Sequence, residues 1–394
     1  MNEAVMDEWF SEVTVAQLRK KRGVKWTKYG PDALGAWVAD MDFPVAEPIR
    51  AALDSALDRG DYGYAFKSKE GPIPALFAAR AKRLYGWDVA PDRVEGLCDV
   101  VQGLYVTISN FSQPGDGVAT FTPVYPPFLT SVEELGRRLV QHELKRTDDY
   151  QLDVERLERD LDPDTRLLLL CNPHNPTGRV FSRAELESVA QLALRKNLIV
   201  LADEIHADLV YSGHEHIPFA SLSPEIAART ITMTSATKSY NIAGLRYAVV
   251  IFGSQALQDR YNQTPDRLRG GINSFGVLAT EAAWRDCDDW FAQLRRYLEG
   301  NRDYAMDFIA KELPEIEVRR PEATFLSWLD CTNVSLNPDP HAFFLERAGV
   351  GLSDGADFGQ GGANNVRLNF ATSRTILTQI LTQMRDAVRA RNDT

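Results

Sequence analysis

The sequence predicts an α/β protein: a large domain built on a mostly parallel, doubly wound sheet, then a smaller α+β domain. Three observations carry that expectation. Short apolar runs at 167–171, 198–202 and 230–234 alternate with amphipathic stretches, the pattern of strands and helices in one open sheet. A polar residue follows each run: Asn175, Asp203 and Lys238. Beyond about residue 285 the texture changes to long helical stretches around short strands.

Taken in order, 167–171 reads as a buried strand that ends in the turn-rich NPHNPTG of 172–178. Ser182-Arg183-Ala184-Glu185 is a capping box, in which serine and glutamate satisfy free backbone donors at a helix start. Leu186, Val189, Ala190, Ala193 and Leu194 follow at the spacing of one helix face. The second strand ends at Asp203, and the third runs into TSATKSYNIAGLR at 234–246. Sheets of this type bind ligands outside the carboxyl ends of their strands. The three polar residues, drawn from three segments, therefore converge at one sheet edge. Further on, 288–311, 340–348 and 374–390 read as helices, and 324–329 and 366–370 as strands. The N-terminal segment carrying WVADMDFP (37–44) is expected to pack against this second domain. The resulting division is 1–47, 48–285 and 286–394.

Composition narrows the function. Apolar residues make up 44% and charged residues 25% of the 394, as in globular proteins. A formal charge of −11 argues against nucleic acid, which needs a basic face. No apolar run approaches the roughly 20 residues of a membrane span. The opening MNEAVMDEWFSEV lacks the positive start and apolar stretch of a signal peptide, so a cytoplasmic protein is expected. Cys98, Cys171, Cys287 and Cys331 lie far apart without a C-x-x-C pair, which suggests free thiols. His174, His206, His214 and His216 fit no metal-binding pattern. Residues 214–216 read as a solvated turn, and no metal site is expected.

The three converging residues suggest one chemistry. A desolvated lysine has a lowered pKa and forms a Schiff base with an aldehyde. An aspartate at a strand end can hold a proton on a heteroaromatic nitrogen, and an asparagine can donate to a ring oxygen. Pyridoxal phosphate asks for that set, together with a phosphate site of helix-start amides, hydroxyls and positive charge. Ser235, Thr237 and Arg246 flank Lys238, and Asp99-Val100-Val101-Gln102-Gly103 opens another helix candidate. Other readings exist for each residue alone. Lys238 could be a surface lysine, or the lysine of an S-x-x-K hydrolase pair whose companion S-D-N and K-T-G motifs are missing. Asp203 could be a helix N-cap, and Asn175 a left-handed turn residue. None of these accounts for all three together.

NPHNPTG (172–178), DEIHAD (203–208), SATK (235–238) with Arg246, and VRLNF (366–370) resemble the fold-type I pyridoxal-phosphate enzymes of the class I/II aminotransferase family. The resemblance spans nearly the whole chain. ADMDFP (39–44), YGY (62–64) and DEIHADLVY (203–211) resemble its cystathionine β-lyase subgroup, the MalY/PatB-like C–S lyases. It implies a large domain with a seven-stranded, mostly parallel sheet, and a homodimer whose active sites are shared between subunits. Lys238 would bind pyridoxal 5′-phosphate covalently and shuttle the substrate α-proton. Asp203 would pair with the ring nitrogen, and Asn175 with the phenolic oxygen and the substrate carboxylate. His206 would lie near that oxygen with a modest catalytic part, and Tyr125 would stack on the ring. Ser235, Arg246 and the amides of Val100 and Val101 would hold the phosphate. Tyr64 would reach the neighbouring subunit's site, with Tyr62 as the alternative, and Arg367 would grip the substrate α-carboxylate. Asp99 stands where the family usually has a small neutral residue, so its side chain is expected to face away. The implied reaction is α,β-elimination of a cysteine S-conjugate to pyruvate, ammonia and a thiol. Transamination is the alternative, and a non-catalytic regulatory protein on this scaffold is a third reading. The partners implied are a small amino-acid substrate and a second copy of the chain, without nucleic acid or membrane.

Overall fold

The computed structural model describes residues 9–65 and 70–391. The outer ends of the expected division, 1–8 and 392–394, lie outside the described residues. The strands in chain order are β1 (Leu34–Gly35), β2 (Val94–Leu97), β3 (Gly117–Thr122), β4 (Arg138–Glu143), β5 (Thr165–Cys171), β6 (Ile199–Asp203), β7 (Thr230–Thr234) and β8 (Ala248–Phe252). They continue with β9 (Glu317–Val318), β10 (Leu326–Asp330), β11 (Val350–Gly351), β12 (Ser353–Asp354) and β13 (Asn365–Asn369).

A seven-stranded sheet runs β2-β8-β7-β6-β5-β3-β4. Only β8 is antiparallel to its neighbours, β2 and β7. The connection from β7 to β8 carries just two short helical turns, Ala236–Ser239 and Ala243–Leu245. The longer helical crossover typical of parallel strands is missing there, and the chain turns back. Successive residues of β5 face opposite ways. Leu167, Leu169 and Cys171 join one apolar cluster with Leu104 and Ile108 of the helix Val100–Phe111. Leu168 and Leu170 join another with Leu186 and Val189 of the helix Arg183–Arg195. Both faces of the sheet are thus covered, which is why the central strands read as continuous apolar runs.

The capping box forms as read: Ser182 Oγ accepts the Glu185 amide at 3.3 Å, and Glu185 Oε2 accepts the Ser182 amide at 2.8 Å. Leu192 joins the buried face of that helix, while Leu194 is half-buried. The helix Val100–Phe111 lies close on β7 because Gly103 has no side chain. A Cβ there would sit 2.5 Å from Met233 Sδ.

The remainder of the chain builds a four-stranded antiparallel sheet, β12-β13-β10-β9. It is accompanied by the helices Asp288–Glu312, Pro340–Ala348 and Arg374–Ala390. β1 pairs in parallel with β11, Leu34 opposite Val350 and Gly35 opposite Gly351. All four cysteines are unpaired. No helix among the described residues is long and apolar enough to cross a membrane.

The reading of 214–216 as a solvated turn fails at its last residue. His214 and Glu215 are exposed, but His216 is buried, with Nε2 3.1 Å from Glu204 Oε2. Tyr85 packs edge-on against its ring at 5.3 Å. The polar spelling HEH hides that one side chain turns inward to meet a buried carboxylate.

Candidate active site

Asp203 is the last residue of β6 rather than the first beyond it, and its carboxylate is buried. Oδ1 accepts the Ile205 amide at 3.1 Å. Burial, opposed by that bond and reinforced by Glu204, lifts its pKa to about 7. A carboxylate left this poorly solvated seeks a positive partner. Asn175 follows β5 in the turn after Cys171, its backbone oxygen accepting the Tyr125 amide at 3.1 Å. Lys238 lies in the short helix Ala236–Ser239, where Ser235 caps the start by accepting the Thr237 amide at 3.0 Å. The Lys238 pKa is lowered, chiefly by burial.

The three strand ends meet as the topology requires. Lys238, Asp203, Asn175, His206, Tyr125, Val100, Val101, Ser235, Arg246 and Arg367 all border one cavity of about 200 Å³. Tyr64 does not: it stands fully out on the surface, and Tyr62, also outside the cavity, is 68% exposed with its ring tilted toward Phe275.

Arg367, on β13, reaches the cavity from the second sheet. Its guanidinium donates to Asn175 Oδ1 at 2.9 Å, the Trp37 carbonyl at 3.0 Å and Ser353 Oγ at 3.1 Å. It lies 5.0 Å from the centre of the Phe358 ring. Burial draws its pKa down to about 10, which leaves it charged at neutral pH. A guanidinium has no acceptor, so the atom of Asn175 that faces it must be the oxygen. The amide NH₂ of Asn175 is therefore left as a donor.

A strap of consecutive carbonyls closes the site. Lys238 Nζ donates to the Ala39 carbonyl at 2.8 Å. Asn369 Nδ2 donates to Val38 and Asp40, both at 2.7 Å. Asn241 holds the same strap through the Met41 amide at 3.0 Å and the Phe43 carbonyl at 2.7 Å. The stretch ADMDFP thus contributes its backbone. Asp42 is a buried structural residue, accepting Trp26 Nε1 at 2.7 Å and pairing with Lys25 at 3.0 Å.

His206 is buried beside Lys238 and Arg367, and burial first, then those two charges, lowers its pKa to about 3. It is a neutral imidazole, and its Nδ1 has no protein partner among the described residues.

At the other end of the cavity, the Ser235 hydroxyl lies 2.6 Å from the Tyr247 carbonyl, which claims its proton. Thr237, expected with Ser235 as a source of hydroxyls, also borders the cavity. The expectation for Asp99 is overturned. Its side chain faces the cavity, Oδ1 accepting the Gln102 amide at 2.8 Å and Oδ2 paired with Arg246. An N-cap carboxylate and an otherwise solvent-facing guanidinium attract each other more strongly than water holds either apart. Sequence alone carried no signal for the Trp37 and Ala39 carbonyls, since backbone acceptors have no letter, nor for Ser353, a lone hydroxyl on a two-residue strand.

The family model for aminotransferase class I and II matches residues 51–383. The chain belongs to that family. It is 36% identical to cystathionine beta-lyase PatB of Bacillus subtilis over 93% of this chain and 97% of PatB. Cystalysin from Treponema denticola, whose crystal structure contains pyridoxal 5′-phosphate, superposes with a TM-score of 0.90 at 28% identity, covering 97% of this chain and 99% of that one. A C–S lyase from Staphylococcus hominis with the same cofactor bound gives 0.89 at 28% identity, over 96% and 98%. The seven-stranded sheet with its added α+β part is the fold-type I arrangement of this family.

The family's cofactor fits the donor set. A desolvated amine, a buried carboxylate, an oriented amide donor and a rim guanidinium surround a cavity with unsatisfied polar atoms at His206 Nδ1 and Arg367 Nε.

Proposed function

We propose that this protein is a pyridoxal 5′-phosphate-dependent C–S β-lyase that cleaves cysteine S-conjugates to pyruvate, ammonia and a thiol. The observation that carries the reading is the meeting of Lys238, Asp203 and the Asn175–Arg367 pair at one cavity. It is joined by a 36% likeness to a cystathionine beta-lyase over nearly the full length of both chains.

When bound, the cofactor supplies an aldehyde that captures amines and a ring that withdraws electrons from the substrate α-carbon. Lys238 would hold the aldehyde, and its Nζ, when free, would take the substrate α-proton. Burial lowers the lysine pKa, which favours the neutral amine that a base must be. Asp203 would keep the ring nitrogen protonated. Asn175 Nδ2 would donate to the phenolic oxygen, while its Oδ1, which accepts from Arg367, would orient that guanidinium toward the substrate carboxylate. The amides of Val100 and Val101, free at the start of their helix, would hold the phosphate with Arg246 and the Thr237 hydroxyl, and the Ser235 hydroxyl would join them by turning its proton from the Tyr247 carbonyl to the phosphate. Neutral His206 would shape the pocket beside the phenolic oxygen, and Tyr125 would stack on the ring.

We assign a homodimer, with Tyr64 entering the neighbouring subunit's site; the complete exposure of that side chain supports this. The division at 47 and 285 belongs to the same reading. It is supported by the pairing of β1 with β11 and by the break at Cys287 between the helices Ser274–Asp286 and Asp288–Glu312. Four unpaired cysteines suit the cytoplasm.

The test is a panel of cysteine S-conjugates, L-cystathionine among them, scored for pyruvate and thiol, with Lys238→Ala as the control. Failure of every conjugate would refute the lyase. The family model is that of aminotransferases, so a parallel assay supplies 2-oxo acids. Amino transfer without thiol release would replace elimination by transamination.

A further inference from the structure

Asp99 binds one group that a phosphate would need, the Arg246 guanidinium. Its Oδ1 caps the helix Val100–Phe111 through the Gln102 amide, and its Oδ2 holds Arg246. Of the cations bordering the cavity, Lys238 donates to Ala39 and Arg367 to Asn175, Trp37 and Ser353. Arg246 is the one at the helix start. It is held there by a backbone in the left-handed region, φ 46°, at the end of the turn Ala243–Leu245. Its side chain is 64% exposed and that of Asp99 23%, so both can move without unpacking a core. A phosphate seated on the Val100 and Val101 amides would stand next to the Asp99 carboxylate, the cap of that helix, and would need the same guanidinium. Two anions would then contend for one cation, whose attraction each would share rather than have whole.

We propose that Asp99 is a built-in competitor for the cofactor phosphate. Its carboxylate contends for Arg246, which loosens the grip on the phosphorylated cofactor and makes the cofactor exchangeable. The inference rests on the proposed pyridoxal-phosphate site. It assigns to a residue of the phosphate cradle the role of weakening binding.

Asp99→Asn isolates the charge, because asparagine caps a helix as well as aspartate does and has nearly the same shape. The full-length wild-type and variant proteins are dialysed to equilibrium against graded pyridoxal 5′-phosphate, and in parallel against pyridoxal, which lacks the phosphate. Bound cofactor is read from its visible absorbance. The variant should bind pyridoxal phosphate about tenfold tighter at low ionic strength, with the gain shrinking as salt screens the partly exposed charges. Pyridoxal binding should be unchanged. In an Arg246→Gln background the gain should disappear, the signature of two residues acting through one contact. Equal or weaker binding of pyridoxal phosphate by the variant overturns the inference. So does a gain that pyridoxal shares, or one that survives loss of Arg246. Uptake of no pyridoxal phosphate by the wild-type chain would instead overturn the cofactor reading itself, and this inference with it.

Discussion

Replacing Arg367 by lysine keeps the positive charge and removes the fork. In the structure the guanidinium makes three hydrogen bonds, to Asn175, Trp37 and Ser353, over the Phe358 ring. An ammonium at the end of a flexible chain can satisfy one or two of these acceptors but cannot stay coplanar with a carboxylate. A charge-assisted hydrogen bond contributes about 1.5–3 kcal/mol, and loss of the bidentate pair together with some orientation of Asn175 should cost about 2–4 kcal/mol. At about 1.4 kcal/mol per factor of ten, kcat/KM should fall roughly 30- to 1,000-fold. Because the carboxylate is held in ground and transition states alike, most of the loss should be in KM. The assay is steady-state thiol release from an S-alkylcysteine. A second measurement follows binding of the matching S-alkylcysteamine, which lacks the carboxylate, through the change in cofactor absorbance. Binding of that amine should be the same in both proteins. A KM within threefold of wild type would refute the reasoning, as would an equal loss with the carboxylate-free amine.

Further expectations concern other residues of the same cavity and its support. Lys238→Ala should abolish the covalent cofactor absorbance and lower thiol release at least about a thousandfold, since nucleophile and proton carrier are lost together; a retained covalent band, seen by spectrophotometry, would contradict this. Gly103→Val should lower stability by about 1–3 kcal/mol through overpacking against Met233, measured by denaturant unfolding, because even a Cβ comes within 2.5 Å of the sulfur. The pKa of His206 is held at about 3, well below the ordinary value near 6.5, so between those values the unfolded chain binds a proton that the native one refuses. Stability contributed by keeping it neutral is therefore complete above pH 6.5 and lost as pH falls toward 3. His206→Asn should reduce the slope of unfolding free energy against pH in that window by about 1.4 kcal/mol per pH unit. An unchanged slope would mean that the imidazole is not desolvated.

Much of the architecture was legible in the sequence for local reasons. The capping box at Ser182 and Glu185 and the run at 167–171 act through neighbours a few residues away, and both appear where the pattern puts them. The helices at 340–348 and 374–390 match their observed bounds. The edge carrying Asn175, Asp203 and Lys238 was equally legible, because parallel strands deliver their carboxyl ends to one side. The reading went wrong where a side chain chose a partner distant in sequence. His216 sits in a polar, turn-like stretch but turns in toward Glu204, and Asp99, expected to face outward, turns to Arg246.

The sequence by itself thus determined the fold class, the order of its elements and the residue types that bring amine, carboxylate and amide to one rim. Only the tertiary structure decided how those groups are aimed and charged. Asn175 presents its amide donors because Arg367, 192 residues further along the chain, takes its oxygen. Lys238 is held by a carbonyl of the N-terminal strap, and Asp203 is lifted to about 7 by burial. Hydrogen-bond direction and desolvation belong to surroundings assembled from distant segments, and no run of neighbouring letters spells them out.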